Sequence, residues 1–177
     1  MQPMSGWTIR AAGPEDARAI AEVHVRAWRH AYRGQLSDAT LDGLSVDERQ
    51  EVWTSAMARS TPRHGVLVAE QQGRGIVGFS GFGPTFDGDR TEETGEVYAI
   101  YIEPDLIGTG LGRDLFTRTR EELRARGFSV ATLWVLETNE LARRFYEKAG
   151  WKHDGAVKQE RIDWESKPTV RYVSALS

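Results

Sequence analysis

Apolar and polar positions along this chain follow two periods, one typical of strands and one typical of helices. Strand-like runs occupy residues 7–10, 65–70, 76–81, 96–102 and 130–136, and two more are expected around 156–161 and 170–173. Helical spacing is predicted over residues 14–31, 46–58, 111–126 and 139–149. The order is therefore β-α-α-β-β-β-α-β-α-β-β, which predicts an α/β or α+β domain with a mixed sheet.

Turn and cap residues separate these elements. The loop 71–75 has the length and glycines of a hairpin, so the strands on either side should pair antiparallel. Ser45 and Glu48 have the spacing of a helix capping box. The long loop 84–95 is acidic, and its composition predicts a solvated surface or a weak attractor of cationic amines. Its charged residues are Asp87, Asp89, Arg90, Glu92 and Glu93.

Composition narrows the function classes. A chain of 177 residues suits one domain, residues 1–177, and 40% hydrophobic residues exclude disorder as its main state. A net charge of -3 argues against a nucleic-acid partner. Without cysteine, and with four histidines that lack metal-ligand spacing, no metal site is expected. No apolar run approaches the roughly 20 residues of a membrane span, and no signal peptide is evident, so a cytoplasmic protein without a membrane partner is expected.

A glycine-rich loop joins a predicted buried strand to a predicted helix. Its residues are Gly108, Thr109, Gly110, Leu111, Gly112 and Arg113. Amides at a helix N-terminus have no intrahelical partner and glycine permits close approach, so the loop could hold a phosphate or pyrophosphate, with Arg113 adding charge. The spacing fits neither the dinucleotide-binding motif nor the P-loop. A tight strand-to-helix turn without a ligand is the alternative.

A second motif follows the next buried strand. It combines Asn139, Ala142, an aromatic pair ending in Tyr146, and the closing Gly150 and Trp151. With the glycine loop before it, this order resembles the acetyl-CoA core of GNAT-superfamily N-acetyltransferases over about residues 96–151. The resemblance implies a GNAT-like mixed, strongly bent β-sheet flanked by helices. The family's loop starts with Gln or Arg where this chain has Ile107, so one side-chain contact to the cofactor would be lost.

The resemblance also implies roles for individual residues. The backbone of Ile100, Tyr101 and Ile102 would pair with pantetheine and the thioester carbonyl, and the loop from Gly108 to Arg113 would hold the pyrophosphate. Asn139 would bond the pantetheine arm. Tyr146 would lie near the sulfur, where a phenol can protonate the leaving thiolate. A tyrosine packed in the core is the alternative.

Glu96 is the candidate general base. An alkylamine has a pKa of about 10 and must lose a proton before it attacks, so a carboxylate acting through water would be useful. Strict alternation places Glu96 on one face with Tyr98, Ile100 and Ile102. A solvated strand-end glutamate is the alternative.

The acceptor site is less well defined by the sequence. Three aromatic residues of the first two helical regions are candidates for its wall or for the core: Trp28, Tyr32 and Trp53. A serine-hydrolase elbow at residues 78–83 is disfavoured because Phe82 occupies a required glycine position.

The sequence therefore predicts an N-acetyltransferase that moves an acetyl group from its co-substrate acetyl-CoA to a primary amine by direct attack in a ternary complex. The acceptor would be a small molecule or a peptide, and no metal is required. A non-catalytic acyl-CoA-binding or sensing module and a transferase for a longer acyl-CoA are the alternatives. Exchange of tail strands in a homodimer is compatible with the resemblance.

Overall fold

One sheet of seven strands runs through the protein. The computed structural model describes residues 6–162 and 164–177, so the first five residues, on which the expectation about a signal peptide partly rested, lie outside the described residues. The strand order is β1-β2-β3-β4-β5-β7-β6. Only β4 and β5 pair in parallel, and the other pairs are antiparallel. The strands are β1 (Trp7–Ala11), β2 (Gly65–Gln71), β3 (Gly75–Pro84), β4 (Thr94–Ile102), β5 (Val130–Leu136), β6 (Lys152–Ile162) and β7 (Glu165–Ala175).

Helices cover both faces of this sheet, which confirms the predicted mixed fold. They are α1 (Ala17–Ala31), α2 (Asp38–Asp42), α3 (Val46–Ala58), α4 (Leu111–Ala125) and α5 (Glu140–Lys148). The short α2 was not predicted, because five residues are too few to show helical periodicity. At α3, the Ser45 side chain accepts a hydrogen bond from the Glu48 amide at 3.2 Å, as one half of the predicted capping box requires.

Each face of the sheet has its own hydrophobic core. On one face, Ile20 and Val23 of α1 and Trp53 of α3 pack with Val68 and Phe79 of the sheet. On the other face, α4 packs against β3 and β4, and the aromatic residues of α5 lie against the same cluster. The two cores hold the sheet between them, so residues of β4 and β5 have a defined α1/α3 face and a defined α4/α5 face.

The two central strands separate part-way along their length. They pair only between Thr94–Glu96 of β4 and residues 130–132 of β5. Beyond Glu96, β4 continues to Ile102 with β3 as its described partner, and β5 continues to Leu136 with β7 as its partner. A gap therefore opens between β4 and β5, and the backbone groups on its two edges have no sheet partner across it.

A bulge in β4 changes which residues share a face. Phe82 pairs with Val97 but Gly81 pairs with Ala99, so Tyr98 is an extra residue in the ladder. Beyond the bulge, the residues of β4 change faces relative to strict alternation. Ile100 and Ile102 pack with Val97 in the α4/α5 core, while Ala99 and Tyr101 pack in the α1/α3 core.

Glu96 consequently lies on the α1/α3 face. Its cross-strand partner is Gly83, where an added Cβ would lie 2.7 Å from both the His64 ring and the Tyr98 hydroxyl. The prediction that Glu96 shares a face with Ile100 and Ile102 is therefore wrong. The bulge is the physical reason, because it inserts one residue into the alternation on which that prediction depended.

Candidate active site

The glycine-rich loop forms a cradle of unpaired backbone amides at the start of α4. Gly108 and Gly110 have φ values of +85° and +96°, a region that glycine adopts without strain. The first hydrogen bond of the helix runs from the Asp114 amide to the Gly110 carbonyl at 3.0 Å, and the Leu111 amide donates to Thr109 Oγ1 at 3.4 Å, so the amides of Gly112 and Arg113 are left without an intrahelical partner. The Thr109 hydroxyl closes the preceding turn by donating to the Leu106 carbonyl at 2.6 Å.

This cradle lies at the open end of the gap. A Cβ placed on Gly112 would lie 3.7 Å from Phe145 of α5 and 3.8 Å from Ile102 at the end of β4. Arg113 is exposed, and no ion pair to it occurs within residues 6–162 and 164–177. Free amides, the positive end of a helix dipole and an unpaired guanidinium suit a diphosphate, so these residues fit the nucleotide end of a CoA thioester. Ile107 is 46% exposed beside the cradle and offers no polar contact.

Asn139 forms the N-cap of α5. Its side-chain oxygen accepts a hydrogen bond from the Ala142 amide at 3.3 Å, which satisfies one orphan donor of the helix. The resemblance implies a cofactor contact for Asn139, and this capping bond was not predicted. The side-chain nitrogen of Asn139 has no acceptor within the described chain and can still donate to a ligand.

Tyr146 packs on the α4/α5 face beside the gap. Its ring lies 5.4 Å from the Phe116 ring and 6.2 Å from the Tyr172 ring. Burial raises the pKa of its hydroxyl above the ordinary value, and the Tyr32 phenol raises it further. Tyr146 therefore remains a protonated donor at neutral pH.

Two more phenols line the same region from the opposite face. The hydroxyls of Tyr32 and Tyr101 are 2.8 Å apart, and burial raises the pKa of both groups. The charge of Tyr146 also acts on the pKa of Tyr101. The structure thus brings Tyr101 of the predicted cofactor edge, Tyr32 of the predicted acceptor wall and the predicted acid Tyr146 into one electrostatic cluster.

Glu96 stands where β4 and β5 still pair. It is only 8% exposed, so it is not a solvated strand-end residue. Its Oε1 accepts hydrogen bonds from the Thr85 hydroxyl at 2.9 Å and the Phe86 amide at 3.4 Å. Burial raises the pKa of Glu96, the Thr85 bond partly offsets this, and the nearby Asp87 raises it again. No described residue donates to Oε2, which leaves that oxygen as the available proton acceptor. No hydrogen bond joins Glu96 to Tyr146 in the described chain.

The remaining candidates for the acceptor wall divide between core and site. Trp53 is buried, donates to His24 Nδ1 at 3.1 Å and packs 5.0 Å from Phe79, so it is a core residue. Trp28 is half-buried and its ring lies 5.0 Å from Tyr32. Trp28 therefore borders the site through Tyr32 and through Tyr101, whose ring lies 6.2 Å away.

The acidic loop is only partly solvated, which corrects the expectation of a fully solvated loop, while the attraction of cationic amines stays a prediction, since Glu92 and Glu93 are exposed. The buried guanidinium of Arg171 on β7 binds Asp87 at 3.0 Å and Asp89 at 2.7 Å. Asp87 also accepts a hydrogen bond from Trp134 Nε1 at 3.0 Å. No local pattern predicts these contacts, because Arg171 is 84 positions from Asp87.

Comparison with known proteins identifies the family. The model of the acetyltransferase (GNAT) family matches residues 18–151. The chain belongs to the GNAT family. It is thus an acyl-CoA-dependent N-acetyltransferase, and the resemblance in the two motifs is confirmed. The matched segment contains Glu96, the glycine loop, Asn139 and Tyr146, whereas β6 and β7, with Arg171, lie beyond it.

Individual GNAT relatives support the same conclusion. The N-acetyltransferase YuaI of Bacillus subtilis (strain 168) is 36% identical over 135 residues, which cover 75% of this chain and 73% of YuaI. A mycothiol acetyltransferase of Thermobifida fusca (strain YX) is 36% identical over 160 residues, 82% of this chain, but the chain spans only 43% of that relative. The solved structure of the acetyltransferase yncA from Salmonella typhimurium, with its cofactor acetyl-CoA, has a TM-score of 0.71. It is 24% identical and covers 97% of this chain and 95% of its own, a likeness that shows the GNAT fold.

Residues 6–162 and 164–177 contain no group of three or more histidines and acidic residues arranged to hold a metal ion. Within the same residues, no helix has both the length and the apolar character needed to cross a membrane.

Proposed function

We propose that this chain acts as one unit that transfers an acetyl group from acetyl-CoA to a primary amine of a small molecule or peptide, by direct attack in a ternary complex. The observation that carries the proposal is the open edge of β4, which has the amide cradle at one end and the buried carboxylate of Glu96 at the other. Acetyl-CoA would supply a thioester that reacts with the amine to give an amide and a free thiol. Its core site would span about residues 96–151.

The chain's own groups would hold the co-substrate along this edge. The amides of Gly112 and Arg113, with the Arg113 guanidinium, would bind the diphosphate. The backbone groups of residues 100–102 that face away from β3, toward the gap, would hydrogen-bond to the pantetheine amides as an added strand would. The free side-chain nitrogen of Asn139 would donate to the same arm, while its oxygen continues to cap α5.

Proton transfer would use the two titratable groups on opposite faces of the gap. Oε2 of Glu96 would accept the proton of the incoming ammonium group through a water molecule, which the raised pKa of this carboxyl favours. Tyr146, kept protonated by its raised pKa, would donate to the departing sulfur. The two steps leave the amine neutral when it attacks and the thiol neutral when it departs. The nitrogen would lose its second proton as the amide forms, and that proton would restore the phenol of Tyr146.

A coupled binding and turnover experiment tests this function. Calorimetry with acetyl-CoA should register saturable binding, and a screen of primary amines should then find acceptors that release free CoA. Thermal shifts with propionyl-CoA and succinyl-CoA test for a longer acyl donor, since a tighter ligand raises the unfolding midpoint more. Absence of binding to every CoA derivative would overturn the proposal. Binding without CoA release with any amine class would favour the sensing module.

Substituting Gly110→Ala should weaken acetyl-CoA binding about tenfold, because alanine is strained at a φ of +96° and the cradle must distort. Gly127→Ala is the matched control. Gly127 follows the other end of α4 and has a φ of +91°; an added Cβ would meet no atom within 4 Å there and only Arg113 Nη2, in ordinary contact at 3.5 Å, at Gly110. Both variants should lose about 1–2 kcal/mol of unfolding free energy, the cost of a left-handed alanine. Calorimetry that finds the same affinity in both variants would contradict the assignment of the cradle.

Substitutions of Asn139 can separate its role as the N-cap of α5 from a role in cofactor binding. Aspartate is as good an N-cap as asparagine, but its carboxylate cannot donate a hydrogen bond. We expect Asn139→Asp to keep the thermal stability of the protein and to weaken acetyl-CoA binding, whereas Asn139→Ala should lower both. Unchanged acetyl-CoA affinity in Asn139→Asp, measured by calorimetry, would mean that the residue only caps α5.

A further inference from the structure

Arg171, which lies beyond the segment matched by the family model, is the centre of a largely buried ion cluster. Its guanidinium is 5% exposed and uses all three nitrogens. Nε donates to Asp154 of β6 at 2.7 Å, and the two terminal nitrogens bind Asp87 and Asp89 of the acidic loop. Asp154 is also bound by Arg90 of the loop at 2.8 Å. The loop is therefore anchored to both β6 and β7 by charge-assisted hydrogen bonds.

A continuous chain of hydrogen bonds leads from this cluster to Glu96. Arg171 Nη1 donates to Asp87 Oδ2 at 3.0 Å, and the Asp87 amide donates to Thr85 Oγ1 at 3.1 Å. The Thr85 hydroxyl then donates to Glu96 Oε1 at 2.9 Å. Because Thr85 accepts from Asp87, its single proton is directed at Glu96. The position of that hydroxyl thus depends on where Arg171 holds the loop.

We infer that Arg171 is a positioning residue for the acceptor side of the site. Acting through Asp87, it keeps the Thr85 hydroxyl and the Phe86 amide on Oε1 of Glu96 and so leaves Oε2 as the one oxygen that exchanges protons. The inference deepens the proposed function, because it concerns the carboxylate proposed as the base. Without the anchor, the loop would no longer present these two donors, and the charge of Asp87 would stand uncompensated near Glu96.

Several charged groups face Glu96 and must be separated from this effect. Asp87 of the loop raises the pKa of Glu96 and Lys158 of β6 lowers it. Tyr98 of β4 is titratable and is influenced by Glu96, and the His64 ring lies 6.3 Å from the Tyr98 ring. Of these groups only Asp87 belongs to the loop, and besides its charge it acts on Glu96 through the hydrogen bond of its amide to Thr85.

The test is a double-mutant cycle of Arg171→Met with Thr85→Val. The readout is the pKa of the Glu96 carboxyl, measured by carbon NMR titration and assigned by its absence in Glu96→Gln. We expect Arg171→Met to raise this pKa by about one unit, a tenfold change in proton affinity. In the Thr85→Val background the shift should fall to less than half, because the connecting hydroxyl is already absent. The acid limb of kcat/KM should move in parallel.

Two further variants keep the test decisive. Asp89→Asn removes one arm of the cluster at a side chain that is 64% exposed, so it should fold and give a smaller shift of the same sign. Arg10→Met breaks a comparable pair with the buried Asp16 on the far edge of the sheet and should lower stability without moving the pKa of Glu96. Equal shifts in both Thr85 backgrounds, or no shift in Arg171→Met and Asp89→Asn, would overturn the inference. If Glu96→Gln is inactive but Arg171→Met and Asp89→Asn leave the pKa of Glu96 unchanged, Glu96 remains the base and only the role of Arg171 is excluded.

Discussion

Replacing Tyr146 with phenylalanine is expected to lower kcat by about 100-fold, the lower end of what a positioned general acid contributes. The ring contacts with Phe116 and Tyr172 would remain, so acetyl-CoA affinity and thermal stability should change little. Only the proton for the departing sulfur is lost. Burial raises the pKa of this phenol above its ordinary value, so the wild-type donor is fully protonated across the neutral range in which turnover would be measured.

Tyr172→Phe provides the control for this substitution. Tyr172 is buried next to Tyr146, and its hydroxyl donates to Glu147 at 2.9 Å and accepts from Arg143 at 3.0 Å. Losing those bonds should lower stability and leave kcat nearly unchanged, since the hydroxyl is occupied away from the gap. If steady-state assays give Tyr146→Phe and wild type the same kcat, Tyr146 is not the acid and the phenol serves only packing.

The sequence predicted most accurately the helices and strands whose bounds are set by neighbouring residues. The bounds of α3 and β5 agree with the predicted helix 46–58 and strand 130–136, because a serine cap starts the first and an unbroken apolar run defines the second. Both tail strands are 11 residues long, well beyond the predicted 156–161 and 170–173. Nearly every residue of β6 is exposed, as an edge strand allows, so no apolar alternation marks its length.

Features that depend on distant partners could not be predicted in the same way. The bulge at Tyr98 is defined by the register between β3 and β4, and a single strand's alternation carries no trace of it. The composition of the acidic loop predicts a solvated surface, because the loop's ion pairs are made with Arg171, which is distant in sequence. The glycine cradle was predictable because the turn, the glycines and the helix start are neighbours in sequence. The motifs therefore define the proposed cofactor end of the site, while the tertiary fold determines the surroundings of the proposed acceptor end.

Substituting Glu96→Gln is expected to lower kcat/KM by about 100-fold near neutral pH and to abolish the acid limb of its pH profile. Glutamine keeps an oxygen that can accept from Thr85 and Phe86, so the loop should stay in place. The lost function is proton acceptance at Oε2. Raising the pH should restore part of the activity, because a larger fraction of the amine is then neutral without help from a base.

The same substitution should leave the protein as stable as wild type or make it more stable, which separates catalysis from folding. Burial raises the pKa of Glu96 above its unfolded value of 4.5, so the folded state binds this proton more tightly. Stability is thus lost as the pH rises from about the unfolded value through the folded one, and the charged carboxylate is a cost at neutral pH. Glutamine removes that cost, and the difference in melting temperature should vanish below pH 4.5, where both states are protonated. A Glu96→Gln protein that melts lower than wild type at neutral pH would contradict a buried, destabilising carboxylate, and unchanged kcat/KM would exclude Glu96 as the base.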